Sequence, residues 1–233
     1  MNAVFTPPAP VAIPVGAGAA GDVFPVHRIY CVGRNYAEHA QEMGFTGREP
    51  PFFFMKPADA LVPVAAGETG VIDYPTLTSN LHHEIELVVA IGRGGRDIPA
   101  AGAADHIWGY ATGLDMTRRD LQGEMKKQGR PWCIGKAFDQ SAPIGPVLPK
   151  AKTGELLKGA ITLSVNGQQK QKGDLAELIW SINETIEQLS RAWTLQPGDL
   201  IFTGTPAGVG AVVRGDTMEG AIAGLPTLRV TVR

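Results

Sequence analysis

The sequence predicts an α+β fold: a mostly antiparallel, rolled β-sheet with a few helices. Short runs rich in β-branched and aromatic residues, such as HRIYCVG, PFFFMKP and LIFTGTP, recur along the chain between Gly and Pro turns. Few segments carry the apolar spacing of a helix. Strands and helices do not alternate regularly, as parallel βαβ units would require.

Residues 1–26 are rich in Pro, Ala, Gly and Val and are expected to form an N-terminal arm or a small strand-forming segment. One domain is expected over 27–233. HRIYCVG (27–33) predicts a strand, NYAEHAQEMG (35–44) a short helix closed by Gly44, and PFFFMKP (51–57) a strand stopped by Pro57. Short strands follow around Val62 and Val71. LHHEIELVVAIG predicts a strand from about His82 to Ile91. AAGAADHI is expected to be helical, and WGYATGLDMT a strand ending near Asp115. In TRRDLQGEMKKQG the spacing predicts a helix, with Thr117 as N-cap and Gly129 as stop. Asn166-Gly167 marks a hairpin turn. Leu175, Leu178, Ile179, Ile182, Ile186 and Leu189 predict a single amphipathic helix. QPGD turns into the strand LIFTGTP, and strand with Gly turns follows from about Asp216.

At 233 residues the chain is long enough for a substantial core, and its 44% hydrophobic and 19% charged residues are ordinary for a globular domain. A net charge of −2 gives no reason to expect a nucleic-acid or anionic-membrane partner. No stretch approaches the ~18 apolar residues of a membrane span. The two cysteines, Cys31 and Cys133, form no C-x-x-C pair, which fits a reducing compartment. A cytoplasmic protein is expected.

Glu84 and Glu86 are the most informative pair. Residues i and i+2 of a strand share a face, so both carboxylates project together beside an apolar run. Two like charges losing hydration need compensation, and oxygen-only ligands favour a hard ion such as Mg²⁺ or Mn²⁺. Asp115, after a strand and before a helix, would supply a third carboxylate. From spacing alone, the wet face of a half-exposed sheet explains the pair more often. His82 and His83 fit hydrogen-bonding roles better than ligation.

Other candidates follow the same logic. His39 and Glu42, three apart on the predicted helix, could form a general-base dyad, although a solvated pair is the commoner case. Arg119 and Gln122 have the same spacing, and Lys136 lies in the apolar stretch WCIGKAF, where a lysine is unusual unless paired. In TGTPAGVG (203–210), Gly204 and Gly208 would let backbone N–H groups approach an anion, with Thr205 adding a hydroxyl. That segment lacks the spacing of a nucleotide-binding loop. No G-x-S-x-G elbow occurs, and Cys133 has no evident base partner.

IYCVGRNYAEHAQEMG, FFFMKP, LHHEIELVVAIG, GYATGLDMTRRDLQ, GKAFDQSAPIGP and LIFTGTPAGVG occur in this order. Together they resemble the fumarylacetoacetate hydrolase family over about 27–233, most strongly its small single-domain bacterial members. The resemblance implies the family's β-roll, a homodimer, one Mg²⁺ or Mn²⁺ per subunit, and hydrolysis of a carbon–carbon bond in a 2,4-diketo acid. Fumarylpyruvate, split into fumarate and pyruvate, is the favoured substrate. The alternatives are other acylpyruvates, oxaloacetate decarboxylation, isomerisation of an unsaturated 2-keto acid, or metal binding without catalysis. Glu84, Glu86 and Asp115 match the metal carboxylates. His39 and Glu42 match a dyad on a lid, here near 34–48, and Lys136 matches an active-site lysine. Arg119, Gln122 and Thr205 match substrate-contacting positions. A fumaryl group would add a carboxylate needing a cation, for which Arg34, Arg48, Arg118 and Lys126 are candidates.

Overall fold

The structure is a computed structural model that describes residues 3–6, 8–16, 18, 21–36 and 48–233. Tyr36 forms a β-bridge with Leu178, while residues 37–44 of the helix expected at 35–44, and most of the lid expected near 34–48, lie outside the described residues. Among these the fold is mostly strand with a few helices, as expected. The largest sheet runs in the order Phe52–Lys56, Ile29–Gly33, Leu200–Phe202, Ile85–Ile91, Ile107–Leu114, Ala142–Ile144, Leu61–Pro63, with Leu148–Pro149 paired beside Ile107–Leu114. A second sheet is ordered Gln168–Asp174, Ala160–Val165, Thr217–Ile222, Leu228–Val232, Thr69–Ile72. A small third sheet joins Thr117–Arg118, Leu81–His83 and Gly210–Val212. Ladders are antiparallel except for Ala142–Ile144 on Leu61–Pro63, Leu200–Phe202 on Ile29–Gly33, and Leu228–Val232 on Thr69–Ile72.

The Ile85–Ile91 strand is buried on both faces, which explains its unbroken apolar run. Its odd-numbered residues, Ile85 to Ile91, enter the main core against Ile161, Leu163 and Met218 of the second sheet and Ile186 and Leu189 of a helix. Val88 and Ala90 face a second core with Ile29, Cys31, Leu200 and Phe202. A hairpin of Ala12–Pro14 and Val23–Pro25 closes that second core through Ile13 and Phe24. Asn166 and Gly167, at φ 51° and 77°, make the predicted turn between Ala160–Val165 and Gln168–Asp174.

Three local expectations are corrected. The strand predicted from His82 to Ile91 breaks at Glu84, where the chain passes from the small sheet to the large one. The single helix predicted from Leu175 is a 3₁₀ turn, Leu175–Glu177, and a separate helix, Ile182–Ala192. Each begins with its own capping box, Asp174 with Glu177 and Ser181 with Glu184, and the second box starts a new helix where the apolar spacing alone would continue the old one. Thr117 is not the N-cap of Arg119–Lys127: it pairs with His82, and its hydroxyl donates to the Asp115 carbonyl. AAGAADHI forms a 3₁₀ helix, Ala100–His106.

Candidate active site

The strand break places the candidate carboxylates. Glu84 sits in the gap between strands, and its carbonyl accepts from Asp115 N–H at 2.9 Å. Glu86 lies opposite Gly113 in the adjacent ladder. Glu84, Glu86 and Asp115 are all buried, and one oxygen of each lies within 4.8 Å of the others. The solvated sheet face that spacing alone favoured does not describe this pair.

Three cations meet two of the three carboxylates, Glu84 and Asp115. Lys136 Nζ donates to Glu84 Oε2 at 2.7 Å and to Asp115 Oδ2 at 2.6 Å. Lys56 Nζ lies 2.8 Å from Asp115 Oδ1 and donates to the Met116 carbonyl at 3.2 Å and to that of Lys136. Arg119 pairs with Glu84, donates to Gln122 Oε1 at 2.7 Å and meets His82 Nδ1 at 3.3 Å. Arg119 thus anchors Glu84 and holds the Gln122 oxygen, and among the described residues no acceptor takes the Gln122 amide hydrogens. Burial works against the Lys136 ammonium, but Asp115 and Glu84 outweigh it and hold the pKa above the ordinary lysine value. Lys136 is therefore a donor at neutral pH, not a base.

The backbone makes these approaches possible. A Cβ on Gly135 would lie 2.8 Å from Gln122 N, so glycine lets the short Cys133–Lys136 helix press on the Arg119–Lys127 helix and bring Lys136 to the carboxylates. Gly204, at φ 102°, donates its N–H to Glu86 Oε2 at 2.8 Å. The anion expected near TGTPAGVG is therefore, at Gly204, a carboxylate of the protein itself.

The set suits a hard divalent cation. All three groups offer oxygen, and they converge in a buried space. Among the described residues Asp115 Oδ1, which is buried, receives no directed hydrogen bond, although Lys56 is close. Burial, then the neighbouring Asp115 and Glu84, push the Glu86 pKa well up, as expected where a positive charge belongs. His82 is pushed down to about 4 by burial and by Arg119, so it stays neutral and accepts from Arg119. His83 bonds Gln171, leaving the ligand set to the carboxylates.

Val32, Gly33, Arg34, Phe54, Trp132 and Thr205 complete the wall of this cleft. Arg34, at φ 57°, carries its guanidinium 5.2 Å from the Phe52 ring centre and 5.9 Å from that of Trp132. The other three cations considered for a distal carboxylate do not line this cleft. Arg48 pairs with Glu184 at 2.6 Å over Trp180, Arg118 lies 4.4 Å over Phe138, and Lys126 is exposed. His39 and Glu42 lie outside the described residues. Lys56, Asn35 and Gln171 were missed by sequence reasoning. Lys56 carries the signal that exposed Lys136, a lysine within an apolar run. Asn35 is fully buried and clamps the chain at Trp180 and Thr203 through both ends of its amide.

The family described as "Fumarylacetoacetate (FAA) hydrolase C-terminal" matches residues 28–233, which include every carboxylate and cation of the cluster. The chain belongs to the fumarylacetoacetate hydrolase family. The crystal structure of fumarylpyruvate hydrolase from Pseudomonas aeruginosa, in complex with Mn²⁺ and pyruvate, superposes with a TM-score of 0.97 at 59% identity, covering 99% of each chain. The mitochondrial oxaloacetate tautomerase FAHD1 of Pongo abelii is 45% identical over 204 residues, 88% of this chain and 90% of its own. The mitochondrial oxaloacetate decarboxylase of Dictyostelium discoideum is 42% identical over 200 residues, 86% and 90% of the two chains. The family thus spans more than one reaction on 2-keto acids. Among the described residues no helix is long and apolar enough to cross a membrane.

Proposed function

We propose that this protein hydrolyses a 2,4-diketo acid, with fumarylpyruvate as substrate and fumarate and pyruvate as products. The observation that carries this reading is the full-length likeness to the Pseudomonas fumarylpyruvate hydrolase. Arg34 supports it, as a cation on the cleft wall suited to a second carboxylate. Residues 27–233 form the catalytic unit in this reading, and a homodimer is its assembly, to be checked by light scattering.

Glu84, Glu86 and Asp115 would hold Mg²⁺ or Mn²⁺, which supplies Lewis-acid charge to the carboxylate and adjacent keto oxygen of a 2-keto acid. The protein's own groups do the rest. His39, oriented by Glu42, takes a proton from the attacking water. Water adds to the distal keto carbon, and the developing oxyanion accepts from Lys136 and the Gln122 amide. Two of the three Lys136 hydrogens are held by carboxylates, so one remains for this oxygen. The carbon–carbon bond then breaks. One fragment leaves as fumarate, and the three-carbon fragment takes a proton to become pyruvate. Thr205 contacts the 2-keto acid end.

Oxaloacetate is the second reading, favoured by the names of the tautomerase and decarboxylase relatives. One experiment separates the two. Loss of ultraviolet absorbance is followed for fumarylpyruvate, maleylpyruvate, acetylpyruvate and oxaloacetate, with Mn²⁺ or with a chelator, in the parent, Arg34→Met and His39→Ala. Expected are metal-dependent preference for fumarylpyruvate and a kcat about 10²–10⁴ lower in His39→Ala with Mn²⁺ binding retained. Arg34→Met should raise KM for fumarylpyruvate and leave acetylpyruvate unchanged. Dominant oxaloacetate turnover would overturn the hydrolase reading.

A further inference from the structure

Gln171 is fully buried in Gln168–Asp174, a strand whose sequence is otherwise polar. Its amide makes four contacts. Oε1 lies 3.1 Å from Ile85 N and 2.9 Å from His83 Nδ1, and Nε2 lies 2.8 Å from Thr205 Oγ1 and 2.9 Å from the Pro206 carbonyl. A backbone N–H can only donate and a carbonyl can only accept. Ile85 and Pro206 therefore fix which end of the amide is oxygen, and a flipped amide would fail at both.

That orientation decides the state of Thr205. Nε2 must donate to Thr205 Oγ1, so the single hydroxyl hydrogen cannot point back at Gln171. Among the described residues no acceptor takes that hydrogen, and Thr205 lines the same cleft as Glu84, Glu86 and Asp115. The same amide holds Ile85 N–H, one residue from Glu84. We propose that Gln171 is a positioning residue that aims the Thr205 hydroxyl into the cleft as a donor to the carboxylate or keto oxygen of the bound 2-keto acid. This rests on the reading that Thr205 touches substrate.

A double-mutant cycle tests it, using whichever 2-keto acid the parent turns over fastest, so that a different substrate leaves the test intact. The cycle compares kcat and KM for the parent, Thr205→Val, Gln171→Met and the double variant, with Thr205→Ser as the conservative control. Mn²⁺-induced thermal shift reports folding. Thr205→Val and Gln171→Met should each raise KM about tenfold, as for one lost hydrogen bond, with a smaller change in kcat. Thr205→Ser should keep the parental KM, and the double variant should be no worse than Thr205→Val. If Gln171→Met does not fold, Gln171→Glu keeps an acceptor for Ile85 N–H and is read in the same cycle. KM effects that multiply to about a hundredfold in the double variant overturn the proposal, as does a parental KM in a folded Gln171 variant. A parental KM in Thr205→Val removes the substrate contact and the proposal with it.

Discussion

Glu86→Gln should abolish Mn²⁺ binding and turnover while barely changing the stability of the metal-free protein. The carboxyl is buried, and Asp115 and Glu84 raise its pKa further, so its neutral form is favoured relative to that of a carboxyl in water. Glutamine matches that form in shape, and its oxygen can still accept from Gly204 N–H, the bond now made by Glu86 Oε2. The metal-free protein therefore loses little. In the proposed site a cation would lose one of three carboxylates, so affinity should fall by more than the ~10–100-fold seen when only a supporting residue is removed. Melting curves with and without Mn²⁺ check this. The parent should gain stability in proportion to the logarithm of Mn²⁺ concentration, and the variant should not. A parental Mn²⁺-induced shift in Glu86→Gln would remove Glu86 from the ligand set.

Lys136→Met should separate two roles that the structure joins in one amine. Nζ balances Glu84 and Asp115, and in the proposed reaction it also donates to the oxyanion. Removing one partner of a buried ion cluster costs on the order of 3 kcal/mol, because the remaining charges lose their compensation. Mn²⁺, held as proposed, would supply positive charge to the same carboxylates and should recover much of that stability. It cannot replace a hydrogen-bond donor, so kcat should stay down by about 10²–10³. Urea unfolding with and without Mn²⁺, beside kcat at saturating Mn²⁺, checks both parts. If Mn²⁺ restored the rate along with the stability, Lys136 would be a counter-ion alone.

Glu84 and Glu86 were legible as two carboxylates set close together beside an apolar run, although the strand whose parity singled them out breaks at Glu84 and the fold itself brings both to Asp115. Asp115 was legible from its place at a strand end. What local pattern does not carry is the identity of the partner. Gly204 was expected to approach an anion, yet only the fold shows that the anion is Glu86, 118 positions earlier in the chain. Gln171 sits in QQKQKGD, which reads as solvated strand, and nothing local distinguishes it from Gln168 or Gln169. Its partner His83 lies 88 positions away. The helix boundary at Ser181 was obscured for a different reason. Apolar residues continue at helical spacing through Leu178 and Ile179, and the S-x-x-E signal at 181–184 was outweighed by periodicity.

Lys56, Lys136 and Arg119 give the carboxylates three positive charges before any ion arrives. Order of assembly follows from that. A small zinc-stapled domain waits for its metal to fold, whereas this chain carries its own counter-charges and a large core. If the proposed ion binds here, the chain should fold before the ion arrives and take it up afterwards. A chelator should accordingly silence the protein while leaving its near-ultraviolet dichroism intact, and added Mn²⁺ should revive it without a refolding step. Supply of the ion, not the integrity of the chain, would then set how much of the protein is active at a given moment.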